Sequence, residues 1–175
     1  MRHLQAARGT SLNRRTPALL AAGVALMGLG VDQASKRAVL EALSPGQPAE
    51  IVGSLVRFNL VFNPGAAFSL GTSMTLALSI FAIVALLACL FIALRKVRTL
   101  SQGLAVGLMM AGISGNLHDR LFRAPGPLLG HVVDFIQLPH FAVFNVADMC
   151  ITSAAFLIIL LSLRNPSGEK KAELG

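Results

Sequence analysis

The sequence predicts an all-α membrane protein of four transmembrane helices, with both termini in the cytoplasm and a small β-rich loop region on the outer face. Three observations carry this expectation. The 175 residues are 54% hydrophobic and only 13% charged, with a mean hydropathy of +0.69, too little charge to coat a soluble domain of this size. Four apolar segments can each be drawn out to cross a hydrocarbon core about 30 Å thick. The lysines and arginines gather in clusters that alternate crossings of the membrane would place on one side.

The first segment runs from Pro17 to Val31 and continues as a helix toward Leu43. Its uncharged part is only about 22 Å long at 1.5 Å per residue, so a full crossing carries Asp32 to the outer interface. Arg14 and Arg15 before an apolar run resemble a signal peptide, but no clean small-x-small cleavage site follows, and the segment is read as a retained span. The outer loop, about residues 44–72, holds EIVGSLVRFNLVFNPGAAFSL, in which apolar and polar residues alternate between Gly and Pro-Gly punctuation. That pattern predicts short strands lying on the membrane surface. The second span covers Met74 to Leu94 without a charge, and the third covers Leu100 to Leu117, rich in the Gly and Ala that let helices approach closely in lipid. The fourth runs from Phe141 to Leu163, with Asp148 as its one charge, about two turns in. Residues 1–16 and 165–175 are expected to be cytoplasmic tails around a single membrane domain, 17–164.

Orientation follows from the basic residues. Arg2, Arg8, Arg14, Arg15, Arg95, Lys96, Arg98, Arg164, Lys170 and Lys171 fall on one side; only Lys36, Arg37, Arg57, Arg120 and Arg123 fall on the other. The richer side is cytoplasmic. The net charge of +7 forms no basic face with interleaved aromatics, so no nucleic-acid partner is expected. Cys89 and Cys150 lie within separate apolar segments at opposite depths, beyond disulfide reach, and are expected to be buried apolar thiols.

The chemistry lies in the carboxylates. The chain has four aspartates, Asp32, Asp119, Asp134 and Asp148, and the topology brings all four to the outer face. An acid inside or beside a span costs about 2.5–3.5 kcal/mol on insertion scales, so it marks function by default. His118, His131 and His140 share that side without a zinc-ligand spacing. No GxSxG or serine–lysine arrangement is present. What remains is a carboxylate pair, which in a poorly solvated site shares one proton and can hydrolyse a peptide bond by general acid–base catalysis. The same pair could relay protons in a small ion-coupled transporter. Against that, the acids sit toward one surface, and no repeat is visible.

In chain order stand VDQASK (Val31 to Lys36), NPGAAFS (Asn63 to Ser69), GNLHDR (Gly115 to Arg120), VVDF (Val132 to Phe135) and FNVAD (Phe144 to Asp148). Five blocks in this order and spacing resemble the lipoprotein signal peptidase (signal peptidase II) family over Pro17 to Leu163. The departures are small: His118 stands where an apolar residue is expected, and Ser35 where threonine is. The resemblance implies that Asp134 and Asp148 form a catalytic aspartate dyad. It implies a diacylglyceryl-modified prolipoprotein substrate, cut before the lipidated cysteine at the outer face of the cytoplasmic membrane, with no metal or organic cofactor. Asn63, Gly65, Asn116, Arg120 and Asn145 are carried over as substrate-binding residues, and Asp32, Lys36 and Asp119 as support of the site. Membrane lipid is the expected surrounding and the monomer the expected state.

Overall fold

The computed structural model describes residues 15–65 and 72–164. The tails at 1–14 and 165–175, and Ala66 to Ser69 of the NPGAAFS block, lie outside the described residues. In chain order the elements are α1 (Arg15–Ala42), β1 (Ala49–Val52), β2 (Val56–Asn63), α2 (Thr72–Ala88), a π turn (Cys89–Ala93) leading into α3 (Leu94–Lys96), α4 (Leu100–Phe122), β3 (Val132–Gln137) and α5 (Val146–Arg164).

Helix α4 is the centre of the bundle, packing along both α1 and α5 and more lightly against α2. Its small residues explain this placement, since Gly103, Ala105, Gly107, Ala111, Gly112 and Gly115 are all buried. At Gly107 a Cβ would lie 2.7 Å from the Ala21 carbonyl oxygen of α1, so any larger residue would force the helices apart. The start of α4 is fixed by Thr99, whose hydroxyl accepts from Gln102 N–H in a capping box.

Among the described residues three helices are long and apolar enough to cross a membrane by length and composition: Arg15–Ala42, Met74–Lys96 and Val146–Arg164. With 23 residues, α4 is long enough at 1.5 Å per residue. It falls short in hydropathy because it ends in His118, Asp119 and Arg120 and is built of glycine where it touches its neighbours. The outward faces of α2 and α5 carry exposed Ile80, Phe81, Val84, Phe156 and Ile159, an apolar surface far beyond that of ordinary water-facing helices.

The strands expected in the outer loop form as β1 and β2, but they are two of three. The VVDF block, outside the loop of residues 44–72 where the sequence predicts strands, is strand β3, and the sheet order is β1-β2-β3 with both pairings antiparallel. Asn63 pairs with Val132 and Val61 with Asp134 across the β2–β3 ladder. Val133 and Phe135 of β3 join Leu60 and Val39 in a buried cluster backed by Leu40 of α1 and by Leu43 just beyond its end, and Phe58 meets Phe135 edge to face at 5.6 Å. Because side chains alternate along a strand, burying Val133 and Phe135 against α1 turns Asp134 to the opposite face. The apolar packing of the sheet thus aims the acid.

A second difference concerns α5. It begins at Val146, so Asp148 stands in its first turn and not two turns inside a span. Phe141 to Phe144 run ahead of the helix, with Phe144 bridged to Ile136 of β3.

Candidate active site

All four aspartates come together where the C-terminal halves of α1 and α4 meet the start of α5 and strand β3. The support is ionic and almost wholly buried. Lys36 Nζ lies 2.9 Å from Asp32 Oδ2 and 2.8 Å from Asp119 Oδ2, with all three side chains at 0–1% exposure. Asp119 further accepts from Arg123 Nε at 2.7 Å and from the Val133 backbone N–H at 3.2 Å, which ties β3 to α4. Asp32 accepts from the Ala147 N–H at 2.9 Å, tying α5 to α1. Gln33 adds a donor to Asp32 Oδ2 and to the Gly115 carbonyl. Two carboxylates against Lys36 and Arg123 leave the cluster near neutrality, which is what makes its burial tolerable.

Gly115 makes the approach of α1 possible. A Cβ there would sit 2.6 Å from Asp32 Oδ2, so a larger residue would displace the carboxylate that holds the first turn of α5.

Asp134 and Asp148 are joined through one residue, Asn145. Its Nδ2 donates to Asp134 Oδ1 at 2.6 Å, its backbone N–H donates to Asp148 Oδ2 at 3.1 Å, and its Oδ1 accepts from the Asp148 N–H at 3.0 Å. The last two bonds form a reciprocal cap over the first turn of α5, with Asn145 as N-cap and Asp148 three residues on. The second Nδ2 hydrogen reaches Asn116 Oδ1 at 3.0 Å. Asn145 is fully buried and both its amide hydrogens are committed to protein groups. Carried over above as a substrate-binding residue, it stands instead between the carboxylates.

Asn116 donates to Asp148 Oδ1 at 2.8 Å and accepts from Lys36 Nζ at 3.2 Å. From the opposite side Asn63 Nδ2 donates to Asp134 Oδ2 at 2.8 Å. The amide of Asn63 is oriented by its own turn, since Asn63 Oδ1 accepts from Gly65 N–H at 2.8 Å. Gly65 adopts φ +93°, a left-handed conformation that favours glycine. Thr75 of α2 anchors the turn by donating to the Pro64 carbonyl.

Burial pushes the Asp134 carboxyl up to about 6, helped by the neighbouring Asp148; hydrogen bonds from Asn63 and Asn145 and the charge of Lys36 act the other way. Arg120 is 8% exposed. Its guanidinium lies beside Gly65, and Nη1 is buried without a hydrogen-bond partner among the described residues. A buried guanidinium with a spare donor next to an acid pair is a ready receptor for a carbonyl oxygen.

Every residue carried over as catalytic, substrate-binding or supporting thus falls in one connected cluster. What the sequence reading missed is Gln33, Arg123 and Thr75. Arg123 is legible as an i, i+4 partner of Asp119, and Gln33 lies within the quoted VDQASK block. Nothing in the sequence signals the Thr75 contact. His118 sits with Nδ1 3.8 Å from Asp119 Oδ1, and among the described residues no three His, Cys, Asp or Glu side chains converge as a metal-holding group.

The family described as signal peptidase (SPase) II matches residues 24–164. A lipoprotein signal peptidase of Streptomyces coelicolor is 42% identical over 157 residues, covering 89% of this chain and 76% of that protein. Another, of Mycobacterium tuberculosis strain H37Rv, is 41% identical over 140 residues, covering 80% of this chain and 69% of that one. Among solved structures, a bacterial membrane enzyme determined by the in meso method at 2.3 Å resolution superposes with a TM-score of 0.73 at 26% identity, covering 89% of this chain and 92% of that one.

Proposed function

The chain belongs to the signal peptidase II family, and from that premise we propose that it is an aspartic endopeptidase. It removes the signal peptide of diacylglyceryl-modified prolipoproteins by cutting before the lipidated cysteine. The observation that carries the aspartic mechanism is the pairing of Asp134 and Asp148 through Asn145. Two carboxylates joined in this way, one of them deeply buried, do not readily ionise together, so the pair can share a single proton. The ionised member takes a proton from water, and the protonated member donates to the scissile carbonyl, so no covalent intermediate forms.

The remaining residues fit around that chemistry. Arg120, whose Nη1 has no partner among the described residues, and the Asn63–Gly65 turn border the pair from the side of β2 and α2, where an extended substrate segment would lie. Asp32, Lys36 and Asp119 keep the elements in register. Four spans, with the basic clusters in the cytoplasm, put the pair at the outer face of the cytoplasmic membrane. A cysteine carrying diacylglycerol floats at that depth, and its apolar signal helix can approach sideways through lipid. The chain acts as a monomer within the bilayer. The family does not favour the ion-coupled carrier.

The test is cleavage by the purified protein in detergent, with a chelator present, of one precursor prepared with and without diacylglycerol on its cysteine. Mass spectrometry should find cleavage of the lipidated form alone, with the modified cysteine as the new N-terminus. Equal cutting of both forms, or none of either, would remove the lipoprotein reading.

A further inference from the structure

Asp134 and Asp148 each accept two hydrogen bonds from the protein, so counting donors does not tell them apart. Their surroundings do. Asp134 lies within strand β3 and is 3% exposed. Asp148 is half-buried and stands in the first turn of α5, where the helix dipole favours a negative charge.

The two amides that serve them also differ. Asn116 accepts from the Lys36 ammonium and donates to Asp148, so a positive charge polarises its amide toward the carboxylate. Asn145 donates to Asp134, but its own oxygen accepts from a neutral backbone N–H. Asp148 therefore receives the charge-strengthened bond and Asp134 does not.

Resting on the peptidase reading above, we infer that Asn116 is a positioning residue that passes the influence of Lys36 to Asp148 and so fixes the direction of proton transfer. Asp148 takes the proton from the attacking water, and Asp134 gives one to the scissile carbonyl oxygen. The water oxygen bonds to the carbonyl carbon as these two protons move, forming a gem-diol. When the C–N bond breaks, Asp148 passes its proton to the leaving amine and a gem-diol hydroxyl returns one to Asp134. Peptide and water become acid and amine, and the starting protonation is restored.

Other charges do not overturn this choice. Lys36 and Asp32 of α1 and Asp119 and Arg123 of α4 compensate one another. Arg120 of α4 acts more on Asp134 than on Asp148, and Lys36 also favours the charged form of Asp134, but burial of Asp134 outweighs these charges. The rise of Asp134 to about 6, caused first by burial, agrees with its holding the proton.

The test is the pH profile of kcat/KM for wild type and Asn116→Ala. The acidic limb reports ionisation of the base and the alkaline limb loss of the acid's proton. Losing one hydrogen bond to the charged form of Asp148 should move the acidic limb up by about one pH unit, and by more than the alkaline limb. Equal or smaller movement of the acidic limb, or none, overturns the assignment. Should Asn116→Ala fail to fold, infrared difference spectra of Asp134→Asn and Asp148→Asn at about pH 5.5, above the range of ordinary carboxyls, decide the point. The protonated-carboxyl band should persist in Asp148→Asn and vanish in Asp134→Asn; the reverse overturns the proposal. The spectra need no turnover, so an inactive wild type would defeat the peptidase reading while the proton's position was still read.

Discussion

Lys36 is enclosed by two carboxylates and an amide with no exposure to solvent. A fully buried ammonium is stable only while its partners stay charged, so the lysine and its two aspartates stand or fall together. Truncating one member of such a buried pair leaves an uncompensated charge and costs about 3–5 kcal/mol. We therefore expect Lys36→Met to lower the unfolding midpoint in detergent by far more than Arg57→Met, whose pair with Glu50 is exposed at 3.6 Å and worth about 0–1 kcal/mol. Equal losses in the two variants would show that the Lys36 cluster does not hold the helices. At this scale the sequence was informative, because Asp32 and Lys36 at i, i+4 spell a local pair. It was silent on Asp119 as the second partner, 83 residues further along the chain, since only the packing of α1 on α4 brings it there.

Among the elements, those whose signal is local were legible. The span that had to run past Asp32 does so, as α1, and the alternating outer loop does form β1 and β2. Strand β3 was missed for a physical reason: its partner is β2, some 70 residues away, and a short apolar run such as Val132 to Ile136 reads equally well as loop or strand until a neighbour is known. The β-branched and aromatic residues there were the available hint. The start of α5 was misplaced because Phe141, Val143 and Phe144 look like the beginning of a span. The reciprocal cap between Asn145 and Asp148 is a stronger start signal than that hydrophobicity. Both differences fall on the aspartate pair. Asp134 gains the rigidity of a ladder and Asp148 the favourable end of a helix, so the acids are better fixed than loop and mid-span positions would have allowed.

For the whole molecule, the bundle puts its glycine-rich helix, α4, in the middle, where the small residues let α1 and α5 approach closely. Among the described residues three helices announce themselves by composition. Helix α4, proposed as a fourth crossing, carries a weaker apolar signal because of the glycines and polar residues that bind it to the others. The topology has a direct check. In a chain with Cys89 and Cys150 replaced by alanine, Ser44→Cys should react with a membrane-impermeant maleimide in intact cells and Ser101→Cys only after lysis. The opposite pattern would invert the orientation. The decisive measurement is cleavage of a diacylglyceryl-modified prolipoprotein by purified wild type, Asp134→Asn and Asp148→Asn, each shown to be folded. Positioned general acid–base groups contribute about 10²–10⁴-fold, so each variant should lose at least about a hundredfold in rate while wild type cleaves with chelator present. Turnover near the wild-type rate in either variant would contradict the aspartate dyad.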